Sequence, residues 1–369
     1  MKLIKNLFIT LLLAAMSLSS QANNVLKIGI AGPFSGPVSP YGQMQLQGAY
    51  AAIEMLNKEG GVNGHLIEVI EYDDACEPKQ AVSVAHRVIK DGVKYVVGHL
   101  CSSSTQPATD VYQDEDVLVI TGSTNPGITR RGYQNVFRTI GLDSEQGKTA
   151  ADYISKIVKP QRVAIIHDKL QYGKGVASIV RAQLLTNGIN VVSTDGVNHG
   201  EKDFFALIGK LKRHNIDFVY YGGYHPELAL IMRQAKDVGF NPVYMGPEGL
   251  GNKDIAYLAG DAVEGLLVTL PERYDLIKKN LTIAESLKNK GIDPKGPFIW
   301  TSYAAVQAFA DAVSRVGMKN TQKVAAALRS KIIDTVIGPV SWDDKGDLNG
   351  FDFGVYQWHA DGTGTLISK

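Results

Sequence analysis

Residues 96–107 read VVGHLCSSSTQP. Tyr95 to Leu100 is an apolar run of the kind shown by a strand buried on both faces. It leads directly into a cysteine, three serines and a threonine. Ser104 or Thr105 is placed to cap a following helix, with Pro107 in its first turn. A buried strand that ends in hydroxyls and turns into a helix is the repeating junction of an α/β fold. Three chemistries use such a junction: a nucleophile, a phosphate cradle and a carboxylate clamp.

The same junction recurs on both sides. Leu26 to Ala31 reads as a strand, and a helix follows from about Gln43 to Glu59. Leu46, Ala49, Ile53 and Leu56 share one face of that helix, and Gly60-Gly61 stops it. Leu66 to Tyr72 is the next strand; Val82, Ala85, Val88 and Ile89 mark a helix ended by Gly92, and Val117 to Ile120 is a further strand. The pattern then restarts. Gln146 to Val158 is helical, Arg162 to His167 a strand, Val176 to Asn187 a helix and Ile189 to Thr194 a strand. Phe204 to His214 and Glu227 to Gly239 are helices around the strand Phe218 to Gly222. Val243 to Gly246 and Leu266 to Thr269 are strands, and helical stretches run from about Trp300 to Val316 and from Thr321 to Arg329. No low-complexity linker separates the blocks. The expected fold is two doubly wound α/β lobes with parallel sheets, whose ligands bind outside the strand carboxyl ends.

The chain has 369 residues, enough for two domains, and is 44% hydrophobic. Its net charge of +1 gives no footprint for nucleic acid or an anionic membrane surface. The N-terminus has a basic start at Lys2 and Lys5, an apolar run from Leu7 to Met16 and a small-x-small site at Ser20-Gln21-Ala22. Residues 1–22 are therefore expected to be a cleaved secretory signal peptide, with Asn23 the first mature residue. The chain holds two cysteines, Cys76 and Cys101, each just after an expected strand. In an oxidising compartment they read as a disulfide; the rival reading makes Cys101 a reactive thiol.

The sequence shows no P-loop, no complete Gly-x-Gly-x-x-Gly fingerprint, no His-Glu-x-x-His and no Gly-x-Ser-x-Gly elbow. No dense His/Cys cluster suggests a metal, and no cofactor is indicated. His99, His167 and His225 each sit near a strand end and read as structural histidines. These absences favour a binder over an enzyme. What the strand ends do supply is a set of polar groups: Ser102 to Thr105, then Gly122, Ser123 and Thr124, then Tyr172, Tyr224 and Glu248. Asp143 lies near the passage between the blocks, and Tyr41 sits in the first loop. Free N–H groups after Ser102 attract an anion, and Glu248 attracts a cation. Both in one cleft suit a zwitterion, the headgroup of an α-amino acid, with Tyr41, Leu100, Tyr172 and Phe298 around its side chain.

Long blocks carry a close resemblance. YDDACEPKQAV, VVGHLCSSSTQPATDVY, IDFVYYGGYHPE, MGPEG, TVIGP and WDDKGDLNGFDFGV match the pattern of the branched-chain amino acid (Leu/Ile/Val) binding proteins, members of the type I periplasmic binding family. The resemblance covers essentially the whole mature chain. It implies an exported receptor, a monomer in the periplasm, that delivers leucine, isoleucine or valine to the permease subunits of a membrane ABC transporter by hinge closure. It implies a three-strand hinge with crossovers near residues 142, 271 and 351. The N-terminal lobe is then 23–142 plus 272–351, and the C-terminal lobe 143–271 plus 352–369. Residue by residue, it implies that Ser102 binds the ligand carboxylate, Thr124 bridges carboxylate and ammonium, and Glu248 holds the ammonium. Tyr172, Tyr224 and Tyr41 close over the ligand. VITGSTNP is one residue shorter than the family's loop, so the carbonyl facing the ammonium falls on Gly122 or Ser123. The alternatives are a receptor for another small aliphatic amino acid or an amide, and a secreted Ser or Cys hydrolase.

Overall fold

The computed structural model describes residues 25–369, so the expected signal peptide lies outside the described residues. From Val25 the chain alternates strand and helix. β1 (Val25–Gly32), β2 (Leu66–Asp73), β3 (Tyr95–Gly98), β4 (Leu118–Thr121) and β5 (Val136–Arg138) form one sheet in the order β2-β1-β3-β4-β5, parallel throughout. β3 and β4, YVVG and LVIT, are buried at every position because helices cover both faces.

The second sheet holds β6 (Val163–His167), β7 (Val191–Gly196), β8 (Phe218–Gly222), β9 (Val243–Gly246) and β10 (Leu267–Leu270), all parallel. After β10 the helices Leu281–Asn289, Pro297–Val316 and Thr321–Ser330 return to the first core, followed by a small ribbon of β11 (Ile333–Thr335) and β12 (Gly338–Val340). The chain then re-enters the second sheet as the antiparallel edge strands β13 (Gly354–Trp358) and β14 (Gly364–Ser368), giving the order β14-β13-β10-β9-β8-β6-β7. The two lobes are α/β with parallel central strands, as the alternating pattern indicated. β5 and the terminal hairpin were not anticipated.

Two helix starts differ from the sequence expectation, and both position the cleft. The first helix begins at Ser39, not near Gln43, because Pro40 is preorganised for a first turn; Tyr41 is therefore held on a helix. The helix after β3 begins at Ser102, not after Ser104 or Thr105, with extended Cys101 as its N-cap. Pro107 consequently lies inside this helix, and no side chain caps its start. Its first N–H groups are thus left for another acceptor.

Cys76 and Cys101 are joined in a disulfide with Cα atoms 5.5 Å apart, which removes Cys101 as a nucleophile. Closing this loop stabilises by roughly 3 kcal/mol in the chain-entropy picture. Beneath it, Asp74, His99 and Tyr112 form a fully buried chain. His99 Nδ1 is 2.5 Å from Asp74 Oδ2 and Nε2 is 3.1 Å from the Tyr112 hydroxyl. Asp74 also accepts from the Cys76 N–H at 2.7 Å, tying the disulfide to the sheet.

Candidate ligand-binding cleft

Each polar group of the cleft stands where a strand of either sheet gives way to a loop or helix. Leu100 and Ser102 follow β3; Gly122 and Thr124 follow β4. Tyr172 begins the helix after β6, Tyr224 caps the helix after β8 and Glu248 follows β9. Tyr41 and Phe298 are brought in by the first turns of the helices Ser39–Lys58 and Pro297–Val316. These nine residues, with the Cys101 and Gly249 that sequence reasoning did not select, line one narrow cavity. Two wider hollows, of about 1060 and 1470 Å³, open to solvent elsewhere, and none of their acidic side chains is buried.

The uncapped helix start at Ser102 opens on this lining. Glu248, 3% exposed, shares it, and its backbone N–H donates to Gln146 Oε1 at 3.2 Å. The Thr124 hydroxyl is 3.4 Å from Glu248 Oε1. The second carboxylate oxygen of Glu248 is buried and has no hydrogen-bond partner. Burial, then the nearby charge of Asp143, pushes the Glu248 carboxyl well above the usual carboxylate range.

Two expected residues do not line the cavity. Ser123 lies between Gly122 and Thr124, and in extended chain neighbours point to opposite sides. Its hydroxyl turns back to the Leu100 carbonyl at 2.8 Å and to Thr105, and its carbonyl accepts from Arg138. Asp143 is fully buried behind Thr124: its N–H donates to the Thr124 carbonyl at 2.9 Å, and Gln146 Nε2 donates to its Oδ1 at 3.1 Å.

The side walls are aromatic. Tyr224 sits 5.2 Å from Tyr172 and 6.0 Å from Tyr41, and Phe298 meets Tyr41 edge-on at 5.7 Å. Burial, followed by the Glu248 charge, holds the Tyr41 and Tyr172 phenols far above their ordinary range, so they stay neutral donors. The Tyr41 hydroxyl gives its proton to the Gly249 carbonyl at 2.6 Å. His225 Nδ1, 2.9 Å from the Tyr41 hydroxyl oxygen, therefore donates to it. Burial lowers the His225 imidazole to about 4, so it is neutral near pH 7. Tyr41, on a helix whose Leu46, Ala49 and Ile53 pack in the first core, thus grips Gly249 and His225, which follow strands of the second sheet. Sequence reasoning placed Tyr41 on the ligand and missed this grip; the only signal was that His225 directly follows Tyr224. Chemically, the cavity offers free N–H donors, an acid and apolar ring faces.

Comparison with known proteins agrees with this architecture. Residues 25–363 match the family described as periplasmic binding protein. The leucine-specific-binding protein of Salmonella typhimurium is 52% identical over 353 residues, 95% of each chain. The Leu/Ile/Val-binding protein of Escherichia coli strain K12 is 51% identical over 341 residues, 92% of each chain. Among solved structures, a leucine binding protein from Thermotoga maritima superposes with a TM-score of 0.86 at 26% identity, covering 93% of this chain and 98% of its own. By sequence over nearly its whole length, and by fold, the chain belongs to the periplasmic binding protein family.

Proposed function

We propose that this protein is an exported solute receptor of an ABC importer that binds leucine, isoleucine or valine between its lobes and closes over it by hinge motion. The observation that carries the reading is the pairing of opposite chemistries in one lining: an uncapped helix start at Ser102 and the unpaired carboxylate oxygen of Glu248. An α-carboxylate suits the first and an α-ammonium the second. Between the two charged groups, the hydroxyl of Thr124 reaches both. Because the Ser123 carbonyl already serves the Arg138 guanidinium, the ammonium takes the Gly122 carbonyl as its second acceptor. Leu100, Tyr41, Tyr172 and Phe298 receive an aliphatic side chain, and Tyr224 covers it. The printed specificities of the 51–52% identical relatives, leucine alone or Leu/Ile/Val, point the same way.

The lobes divide at crossovers near 142, 271 and 351, with the N-terminal lobe 23–142 plus 272–351 and the C-terminal lobe 143–271 plus 352–369. Residues 1–22 direct export to the periplasm. The monomer with its lobes closed is the form that the permease subunits recognise. Calorimetric titration of ligand-stripped protein tests the reading. Leucine, isoleucine and valine each bind with one-to-one stoichiometry; absence of binding by all three removes it, and tighter binding of alanine or an amide transfers the site to that ligand.

A further inference from the structure

We infer that ligand binding displaces a proton: the ligand-free pocket keeps one proton on the Asp143–Glu248 pair, and the ammonium of an incoming amino acid takes its place. The inference rests on the amino acid reading above.

Asp143 and Glu248 are 0% and 3% exposed, and they share the same small set of neutral partners. Thr124 accepts the Asp143 N–H on its carbonyl and directs its hydroxyl to Glu248 Oε1. Gln146 donates its amide to Asp143 Oδ1 while its carbonyl accepts from the Glu248 N–H and, at 2.9 Å, from Thr269. The Tyr172 hydroxyl, which accepts the Gly249 N–H at 3.0 Å, adds a neutral phenol beside Glu248. Asp143 Oδ2 and Glu248 Oε2 are both buried without a hydrogen-bond partner.

No uncommitted cation faces the pair among the described residues. Arg138, on β5, is the nearest positive group to Asp143. Its Nε binds Asp347 at 2.7 Å, and its other nitrogens serve Thr129 and the Ser123 and Asn125 carbonyls. Glu145, on the helix of Asp143, turns away to cap the Leu142 N–H at 2.8 Å. The remaining titratable neighbours are phenols, Tyr41, Tyr172, Tyr220 and Tyr224, each held neutral by burial. Two desolvated carboxylates with no counter-charge do not both ionise; they hold one proton between them. Burial raises both carboxyls above their ordinary range, and the Asp143 charge raises Glu248 further.

An ammonium at Glu248 supplies the missing positive charge. The O–H bond of the shared carboxyl breaks, its proton passes to buffer, and the pair becomes a dianion facing one cation. Charge balances: singly protonated pair plus zwitterion gives doubly ionised pair, bound zwitterion and one free proton.

Titrating leucine into ligand-stripped protein at pH 7 in phosphate and in Tris, whose ionisation enthalpies differ, counts the protons. The expected result is release of roughly half to one proton per leucine, with affinity rising up to about tenfold per pH unit between pH 6 and 8. Asp143→Asn, checked for folding by circular dichroism, removes the like charge and leaves burial alone to hold the proton on Glu248, so leucine still binds and release is smaller than in the parent. Infrared difference spectra of the parent read the same event without a variant: a protonated-carboxyl band is lost on adding leucine. Buffer-independent enthalpy with leucine bound, or undiminished release in folded Asp143→Asn, overturns the inference and leaves the receptor reading standing. Failure of the folded parent to bind leucine overturns both.

Discussion

Glu248 and Ser102 line the same cleft with opposite chemistries, and their removal has unequal effects. Glu248→Gln keeps shape but loses the charge that meets an ammonium, so leucine affinity is expected to fall by roughly 1.5–3 kcal/mol, measured by calorimetry. Ser102→Ala leaves the helix N–H groups in place and is expected to cost less; an equal or larger loss would place the anion on the hydroxyl alone. Asp168 offers a second residue-scale test, away from the ligand. It accepts the Leu170 N–H at 2.9 Å, but its other oxygen is buried and unpaired, and burial raises its carboxyl to about 7. Between the unfolded carboxylate range near 4 and this raised value the folded state holds the extra proton, so stability falls as pH rises through that window. Asp168→Asn removes the dependence. Relative to the parent, the variant is expected to gain about 1–3 kcal/mol on going from pH 5 to pH 8, read from urea unfolding at both. A difference that does not change with pH would show that Asp168 ionises normally.

Elements carry these residues to the cleft, and they were legible in the sequence to the extent that period and polarity reported packing. β3 and β4 were readable because both faces are buried, which leaves a continuous apolar run. Helix starts were less so: Pro40 and extended Cys101 set them, whereas the richer hydroxyl signals at Ser104 and Thr105 fall inside the helix. Thr105, for example, bonds back to the Cys101 carbonyl at 3.0 Å. β5 is three residues long, and β14 is largely exposed, so neither shows a strong apolar pattern. Of the candidate site, Ser123 was misplaced onto the cavity because adjacent residues at a strand end face opposite ways. The long-range grip of Tyr41 on Gly249 and His225 has no local signature at all. Packing between elements gives its own test. Gly48, in the helix Ser39–Lys58, lies against the helix Pro297–Val316, where a Cβ would be driven into the Ile299 carbonyl. Gly48→Ala favours an isolated helix but is expected to destabilise the protein by about 1–3 kcal/mol in urea unfolding. A stabilised variant would mean the two helices are not in close contact.

At the scale of the whole molecule, elements of the two sheets meet across the cleft through a shared apolar cluster, Tyr41, Leu100 and Phe298 with Tyr172, Val176 and Tyr224, and through polar contacts. Tyr41 to Gly249 and His225, Thr124 to Glu248 and Gln106 to Gln171 are among them. Tyr41→Phe keeps the ring wall and deletes both hydrogen bonds of its hydroxyl. It is expected to weaken leucine binding by about 0.5–1.5 kcal/mol, chiefly through faster dissociation in stopped-flow measurements. An unchanged dissociation rate would show that closure does not depend on Tyr41. The central claim, that one cleft matches both charges of an amino acid and an aliphatic side chain, is tested most directly by competition against labelled leucine. Valine and isoleucine are expected to displace it readily, because one methylene is worth only about 1–3 kcal/mol. Isocaproate, which lacks the ammonium, and isoamylamine, which lacks the carboxylate, are expected to compete far more weakly, as is aspartate, whose second charge finds no partner among Tyr41, Leu100, Tyr172 and Phe298. Displacement by isocaproate, isoamylamine or aspartate at concentrations similar to valine would contradict the account.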